Sequence, residues 1–427
     1  MSILSDIGRY LRTGVVSRPP QRLSVGAAPA SKRYSTLETL TPSYSLVDPE
    51  SYVRDGFRRN ALVHRCVELV AGAVAEPRII ALRRASSRSS KAGEPETEEE
   101  LAPPDPLAEL VARPSSEYPT QTRFIRQVVR HLLLAGEAII YKVPGERTGA
   151  TVELQLLRPD KVEVTRGSSG ERVYVYRPDG NVRGTRLSAE QVMHTKLDDP
   201  LNADRGLPPL AAAARETDSD NEAADFRKAF FENGAMVSGI LSTDHEATPE
   251  QLEKWTVMWR ERYSGAAKAG RTPALAGGLT YQPVGAKPGE ISFGELTSLS
   301  ELRICQAFGV PPALAYAQMG IQRLTYNNYQ QARRALWEEA ASPLLGMICE
   351  ELTAGLTEPA EGKRIGADKS KVPALQEDAD AVAKRFSRAL SDGAVTVNEY
   401  REKLGLEPVE DGNVLYRPAN VEIVEKE

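Results

Sequence analysis

The sequence that decides the fold begins at Glu301 and reads ELRICQAFGVPPALAYAQMGIQRLTYNNYQQARRALWEEAASPLLGMICEEL. Its first part predicts an amphipathic helix that ends at Phe308-Gly309, because two prolines follow the glycine. After a polar interval a longer helix begins near Asn327-Asn328. We expect this second helix to bury one face, since apolar residues recur at steps of three to four. They are Tyr329, Ala332, Leu336, Ala340, Leu344, Ile348 and Leu352.

Pro343 falls inside the pattern of the second helix. A proline there removes one backbone donor and crowds the carbonyl group four residues earlier. We therefore expect a kink near Ala340.

Size and charge limit the classes of function. At 427 residues the chain is long enough for two or three domains and a sizeable core. Charged residues make up 26% and the formal net charge is −5, which excludes a generally basic protein that wraps nucleic acid. If DNA is involved, we expect it to be held weakly.

The cysteines and the apolar runs indicate a soluble, cytoplasmic protein. Cys66, Cys305 and Cys349 are scattered among apolar residues, so we interpret them as core residues in a reducing compartment rather than a disulfide framework or a metal site. No apolar run approaches the roughly 18 residues that cross a bilayer. The N-terminus lacks the apolar block of a signal peptide.

Upstream of the central stretch the patterns indicate helices packed on an antiparallel sheet. Asn60 starts a helix that Pro77 ends, a strand covers 78–83, and a flexible excursion follows from Ala85 to Pro106. Thr120 opens a helix that Gly136 stops. Five predicted strands then cover 137–143, 152–158, 162–164, 173–177 and 191–197. The fold class is therefore α+β.

The second half begins with a helix over 210–233 that has few large apolar residues. A small αβ insert follows, with strands over 239–242, 273–276 and 279–284 and a helix that Thr248 caps. A helix over 290–308 leads back to the central stretch. Beyond Thr357 we expect a polar linker, a helix over 375–391 and a last helix that Thr396 caps.

No catalytic motif is present. The sequence lacks GxxxxGK[ST], GxSxG and HExxH, and the adjacent carboxylates Glu350-Glu351 and Asp198-Asp199 have no third ligand nearby. We interpret these carboxylates as solvated surface groups. We therefore expect no enzyme activity, no metal and no cofactor.

Two groups of residues have alternative interpretations. Trp255 and Trp259 are one helical turn apart and would suit base stacking, but core packing or a subunit contact is the favoured interpretation, because few basic residues accompany them. The polar residues from Gln322 to Asn328 are suited to light contact with a phosphate backbone, or they form an ordinary solvent loop.

The order of motifs resembles the HK97-type portal proteins of tailed bacteriophages and gene-transfer agents. The resemblance covers about residues 50 to 420. The segments that carry it are NALVHRCVELVAGAVAEP (60–77), LLLAGEAIIYKV (132–143), LQLLRPDKVEV (154–164), GLPPL (206–210), FFENGAMVSGIL (230–241), WRERYSG and GRTPALAGGLTY (within 259–281), ICQAFGVPPALA (304–315), TYNNYQQARRALWEEAASPLLGMICEEL (325–352) and GAVTVNEYREKLGLEPVEDG (393–412).

The resemblance implies a homo-oligomeric ring of about twelve copies at one vertex of the capsid. Double-stranded DNA would enter and leave through it. The implied partners are the major capsid protein, the terminase large subunit and the head-tail adaptor, and no membrane is involved. The implied location is the virion, with assembly in the host cytoplasm.

The resemblance also implies a division of the chain into named parts. These are an N-terminal arm (1–50), the first part of the wing (51–207), a stem helix (208–236), the clip (237–288), the returning stem helix (289–308), the tunnel-loop region (309–328), the long kinked helix of the wing (329–360), and a helical crown with a C-terminal tail (361–427).

By position, the resemblance assigns two sets of site residues. The channel set is Gln318, Gln322, Arg323, Thr325, Tyr326, Asn327 and Asn328. The partner-docking set on the clip is Trp255, Trp259, Arg260, Arg262, Tyr263 and Arg271.

Two rival functions stay open at this point. One is a nuclease or hydrolase that depends on a divalent metal, which would need acidic residues to converge on the ion. The other is a different head-tail connector ring component, which the length of the chain disfavours.

Overall fold

The computed structural model of this protein describes residues 46, 48–84, 98–146, 149–178, 183–232, 239–243, 246–263, 278–283, 293–317, 326–376, 379–403 and 406–415. Within these ranges helices pack on antiparallel strands, which confirms the predicted α+β class. The predicted N-terminal arm falls almost entirely outside the described residues.

Helix α1 (Ala61–Val74) lies at the centre of the hydrophobic core. The side-chain oxygen of Asn60 accepts hydrogen bonds from the backbone N–H groups of Leu62 and Val63 at 3.1 and 3.0 Å. This cap satisfies amide groups that have no partner within the helix, so α1 begins where the sequence predicts. Its buried residues are Val63, Cys66, Val67, Val70, Ala71, Ala73 and Val74, while Leu62 and Leu69 lie at the edge of the core.

Strand β1 (Arg78–Arg84) follows α1, as predicted. The predicted flexible excursion after it is partly wrong. A short strand, β2 (Glu98–Glu100), pairs with β1, and helix α2 (Pro106–Ala112) buries Leu107, Leu110 and Val111. The three glutamates of β2 mimic a solvated loop in sequence, but Arg78 and Arg364 form ion pairs with two of them.

Helix α3 (Gln121–Ala135) packs on α1 and has the predicted ends. The Thr120 hydroxyl accepts from the Arg123 N–H at 3.3 Å, and Gly136 ends the helix with φ +77°. Only glycine fits at Gly136, because a Cβ there would lie 2.5 Å from the carbonyl carbon of Gly206.

Two three-stranded antiparallel sheets follow. In the first, β3 (Glu137–Pro144) pairs with β4 (Thr151–Leu157) on one side and with β8 (Val192–Lys196) on the other. In the second, β5 (Val162–Arg166), β6 (Arg172–Tyr176) and β7 (Thr185–Ser188) form a meander. The sequence predicted all of these strands except β7, which has only Leu187 as a buried residue.

A small hairpin of β9 (Asp198–Asp199) and β10 (Asn202–Gly206) leads to the polar helix. The helix predicted over 210–233 is broken near its start. A short turn, Pro209–Ala212, comes first, and α4 (Ala214–Glu232) follows it.

The insert has the predicted order of elements within the residues that the structure describes. Strands β11 (Gly239–Thr243) and β12 (Leu279–Pro283) pair antiparallel, and α5 (Pro249–Tyr263) lies between them in the chain. The predicted strand over 273–276 lies outside the described residues. Helix α6 (Phe293–Ala307) then leads back and packs alongside α4.

The central stretch forms a short helix, α7 (Pro312–Ala315), and a long interrupted one. The long one consists of α8 (Tyr326–Ala335), a π-helical segment (Leu336–Ala341) and α9 (Ser342–Leu356). The kink expected near Ala340 stays a prediction, but a π-helical segment covers that position, and Pro343 follows it in α9.

The predicted polar linker after Thr357 is wrong. Strand β13 (Lys363–Asp368) pairs with β1 over six residues, and Ile365 is buried in the core. A flanking lysine and arginine hide this strand in the sequence. Two further helices, α10 (Ala379–Ser391) and α11 (Val397–Lys403), follow as predicted. The Thr396 hydroxyl caps α11 through the Glu399 N–H at 3.2 Å.

All three cysteines are buried in the core and free, as the sequence predicted. The thiols of Cys66 on α1 and Cys305 on α6 form a hydrogen bond, which together with burial raises the pKa of Cys66. Burial raises the pKa of Cys349 to about 11. The thiols of Cys66 and Cys349 therefore stay protonated at neutral pH.

Candidate functional site

The junction after α6 is closely packed against the body of the protein. Gly309 has φ +63°, and the Val310 N–H donates to the Cys305 carbonyl oxygen at 2.9 Å, which closes the end of α6. A Cβ added at Gly309 would lie 3.4 Å from the Cβ of Ala340 in the π-helical segment. The end of α6 is therefore held close to the long interrupted helix.

The same junction has an unusual backbone conformation at its far end. Tyr316 ends α7 with φ +58°, and no other non-glycine residue in the described part of the chain has a positive φ. Such a conformation costs an L-residue roughly 1–2 kcal/mol. The guanidinium of Arg65 on α1 lies 5.4 Å from the centre of the Tyr316 ring, and its Nη2 donates to the Leu314 carbonyl oxygen at 3.2 Å.

The structure describes little of the channel set that the resemblance assigned. Gln318, Gln322, Arg323 and Thr325 lie outside the described residues. Tyr326 and Asn327 start α8, but their side chains also lie outside the described set. Asn328 is exposed in the first turn of α8. The structure thus places the last three positions at a helix start.

The partner-docking set lies on the insert. Trp255 and Trp259 are on α5 and are half-buried, one turn apart. Arg260, Arg262 and Tyr263 belong to the last turns of the same helix, and Arg271 lies outside the described residues. The favoured interpretation of the two tryptophans, packing or a subunit contact, stays a prediction.

The polar face of α4 is docked on the start of α1, a contact that sequence reasoning missed. Asn60 Nδ2 donates to Asp220 Oδ2 at 2.8 Å and to Asn221 Oδ1 at 3.2 Å. Asn221 Nδ2 in turn donates to the Asp55 carbonyl oxygen at 2.9 Å. Arg59 pairs with Asp225. Polar residues on α4 therefore face their own chain.

A second tie joins α4 to α6. Arg303 Nη1 lies 2.8 Å from Glu216 Oε1, and Thr217 and Asp218 are buried nearby. A signal for this docking was present in the sequence, because a polar helix next to an asparagine cap can bury hydrogen-bonded groups. The periodicity of apolar residues does not reveal it.

A buried carboxylate fixes the chain just before α4. Glu137 is fully buried, and its Oε1 lies 2.5 Å from Arg205 Nη2. Its Oε2 is 3.0 Å from His194 Nε2 and accepts from the Gly206 N–H at 3.2 Å. His194 Nδ1 is 3.2 Å from the Tyr174 hydroxyl, and burial raises the pKa of Tyr174. The network joins both sheets to the hairpin that precedes α4.

A groove of about 790 Å³ lies between the π-helical turn Tyr52–Phe57, α1 and α3. Arg130 donates two hydrogen bonds to Glu68 at 2.7 and 2.9 Å and thereby lowers the pKa of that carboxyl. Burial lowers the pKa of His131 to about 4. At neutral pH the groove therefore holds a paired carboxylate and a neutral imidazole.

These groups are not arranged for metal-dependent chemistry. Within the described residues no three His, Cys, Asp or Glu side chains come together in a way that would hold a metal ion. Glu350 and Glu351 are exposed, as predicted, and Asp198 is exposed with Asp199 half-buried. The described helices include none that is long and apolar enough to cross a membrane.

This chain is similar to proteins in solved structures of gene transfer agent particles. The chain matches a protein in the neck of an empty gene transfer agent particle, computed with sixfold symmetry, at 29% identity and a TM-score of 0.58. The match covers 86% of this chain and 96% of that one. A similar match, with TM-score 0.58 and 28% identity, is to the neck of the native particle, computed with twelvefold symmetry.

Sequence relatives agree. The chain is 28% identical to an uncharacterised protein of Rickettsia bellii, over 84% of this chain and 90% of the relative. It is 23% identical to the portal protein of Enterobacteria phage HK97, over 74% of this chain and 73% of the relative. The family model described as phage portal protein matches residues 61–405, which is most of the chain. The chain therefore belongs to the phage portal protein family.

Proposed function

We propose that this protein forms an oligomeric ring of about twelve copies at the unique vertex of a phage capsid or gene-transfer-agent particle. The ring is a conduit for double-stranded DNA during packaging and ejection. It docks the terminase large subunit during packaging and the head-tail adaptor afterwards, and it contacts the major capsid protein. The observation that carries this proposal is the family match over residues 61–405.

The arrangement of α4 and α6 supports the proposal. The two helices pack side by side, and the insert with β11, α5 and β12 lies between them in the chain. In the proposal they are the stem (208–236 and 289–308), and the insert is the clip (237–288). Phe226 and Phe231 on α4 are 52% and 63% exposed, which suits a helix that meets another copy in a ring.

Helix α4 is poor in basic side chains, and four of its acidic side chains, Glu216, Asp218, Asp220 and Asp225, are buried or bonded within their own chain. It has six acidic and three basic side chains, and its Arg and Lys residues are few enough to avoid a dense row of phosphate contacts. Each fixed phosphate contact adds affinity and would slow a sliding polymer. The stem is therefore proposed to repel and guide DNA rather than to bind it.

The other parts of the chain follow the same plan. We assign the wing to 51–207 and 329–360, and β13 extends its sheet because it pairs with β1. The tunnel-loop region is 309–328, the arm is 1–50, and the crown with its tail occupies the rest of 361–427. The proposed channel residues are Gln318, Gln322, Arg323, Thr325, Tyr326, Asn327 and Asn328. The proposed docking residues of the clip are Trp255, Trp259, Arg260, Arg262, Tyr263 and Arg271.

In this proposal the chain is not an enzyme. The sequence has no phosphate-binding loop, so a partner must hydrolyse ATP for packaging. The protein is proposed to assemble in the host cytoplasm and to reside in the virion.

Light scattering combined with electron microscopy of the purified protein tests the ring. We expect rings with a central hole and about a dozen chains each. A chain that stays monomeric at high concentration, with and without capsid protein, would overturn the assignment of stem and clip. The conduit is tested separately by measuring the DNA content of particles whose portal carries Arg323→Glu, with Arg333→Glu as a control outside the proposed channel set.

A further inference from the structure

We propose that Arg65 and Tyr316 form a clasp that positions the end of α7, the last described residues before 318. Arg65 is thereby a positioning residue for the segment that the proposed function places in the channel. The clasp is a contact between described residues, while its role in DNA transport rests on the proposed function.

Arg65 projects from a fully buried part of α1. Its neighbours on α1, Val63, Cys66 and Val67, have no solvent exposure, so the backbone that carries the guanidinium is fixed. From there Nη2 donates to the carbonyl oxygen of Leu314, whose side chain is 3% exposed. A hydrogen bond from a charged donor is stronger than one between neutral groups. The last turn of α7 is thus tied to α1.

Tyr316 has a backbone conformation that is unfavourable unless nearby contacts stabilise it. Its φ of +58° is unfavourable for a residue with a Cβ, and its ring is largely exposed. Two contacts favour this conformation. The ring lies 5.4 Å from the Arg65 guanidinium, within cation–π range, and the Ala317 N–H donates to the Pro312 carbonyl oxygen at 3.1 Å. Backbone strain of this kind persists where surrounding contacts over-determine it.

The Arg65 guanidinium can contact both Leu314 and Tyr316 because it is not paired with a carboxylate of the described residues. Within the described residues Arg65 forms no ion pair, and its Nε is buried without a hydrogen-bond partner. Its orientation is therefore set by the Leu314 carbonyl and the Tyr316 ring. Arg130, by contrast, pairs with Glu68.

Arg65 also lies beside a groove that helix α8 lines. A groove of about 490 Å³ is lined by Arg65, Leu314 and by Tyr329 of α8. The two described flanks of 318–325 therefore meet the same arginine or the groove beside it. Displacing the Arg65 guanidinium would shift the end of α7 and remove one side of the groove beside Tyr329.

Hydrogen exchange on purified protein tests the clasp directly. Loss of the ring face in Tyr316→Leu, or of the charge in Arg65→Gln, should speed exchange of amides 313–317 about tenfold. Tyr316→Phe is the matched control, since it keeps the ring and the strained backbone, and it should match the wild type. Arg65→Lys should fall between, because it keeps the charge but not the planar fork. Amides 61–74 should be unchanged in every variant.

The DNA content of particles tests the positioning role. Arg65→Gln should lower it at least about tenfold, with Arg65→Lys restoring part of it and ring number per particle unchanged. Wild-type exchange over 313–317 in both Arg65→Gln and Tyr316→Leu would overturn the clasp. Faster exchange with full DNA content would overturn the positioning role. If the wild-type protein itself forms no ring, the proposed function fails while the exchange result still decides the clasp.

Discussion

Asn60 and Asn221 are joined by a hydrogen bond of 3.2 Å, from Asn60 Nδ2 to Asn221 Oδ1. The same Asn60 side chain caps α1 through its oxygen. One residue therefore starts the central helix of the body and holds the polar helix α4 on it. Because both functions use different atoms of one amide group, they can be separated by substitution.

Replacing Asn60 with alanine should lower the free energy of unfolding by about 2–4 kcal/mol, because it removes the cap and leaves buried polar groups of α4 unpaired. Asn60→Ser should cost about half as much, since its hydroxyl still caps α1 but does not reach α4. Urea unfolding followed by circular dichroism measures both. Equal losses in the two variants would mean that the α4 contact contributes nothing.

Glu137 offers a test of the buried network. Glu137→Gln should destabilise the protein by about 3 kcal/mol, because it removes a buried charge that Arg205 and His194 surround. The matched control is Glu163→Gln, whose carboxylate is half-exposed and pairs with Arg177 at the surface. That change should cost less than about 1 kcal/mol. Similar unfolding midpoints for the two variants would contradict the importance of burial.

Substitutions at Gly136 and Gly149 distinguish two reasons why a position requires glycine, namely a positive φ and a lack of space for a Cβ. Both have positive φ, +77° and +67°, but an added Cβ meets the Gly206 backbone at Gly136 and nothing within 4 Å at Gly149. Gly149→Ala should therefore cost about 1 kcal/mol for the backbone alone. Gly136→Ala should cost at least about 3 kcal/mol or prevent folding, because β3 and the hairpin must move apart. Thermal unfolding of the soluble fraction provides the comparison.

The pH dependence of stability should include a contribution from His131. Its folded-state pKa of about 4 lies below the ordinary value of 6.5, so the unfolded chain binds more protons between these values. Stability is therefore complete above about pH 6.5 and falls as the pH drops toward 4. His131→Gln should flatten this part of the urea-midpoint curve. The exposed His64, which lines the same groove, is the control, and its replacement with Gln should leave the slope in place.

Elements with strong local signals were predictable. Asn60, Thr120, Thr248 and Thr396 each cap a helix as the sequence indicates, and Gly136 and Gly309 each end one. These signals depend on backbone groups within four residues, so distant contacts do not alter them. The family resemblance also came from local motifs in order.

Pairing partners were not predictable. The sequence predicts a polar linker where β13 lies, because Lys363 and Arg364 flank its short buried part. Pairing with the backbone of β1 makes this segment a strand. Strand β2 likewise forms because it pairs with β1. Arg78 and Arg364 lie beside its glutamates. Such charges are compatible with a strand once partners neutralise them.

The sequence by itself therefore determined most of the long helices, their caps, the α+β class and membership of the portal family, because these depend on short-range patterns, whereas α2 and α7 were missed. Only the tertiary structure decided which polar residues meet. It placed Asn60 against Asn221, Glu137 against Arg205, and Arg65 against Tyr316. These pairs are separated by tens to hundreds of residues in the chain, and hydrogen bonds and ion pairs leave no periodic trace in sequence.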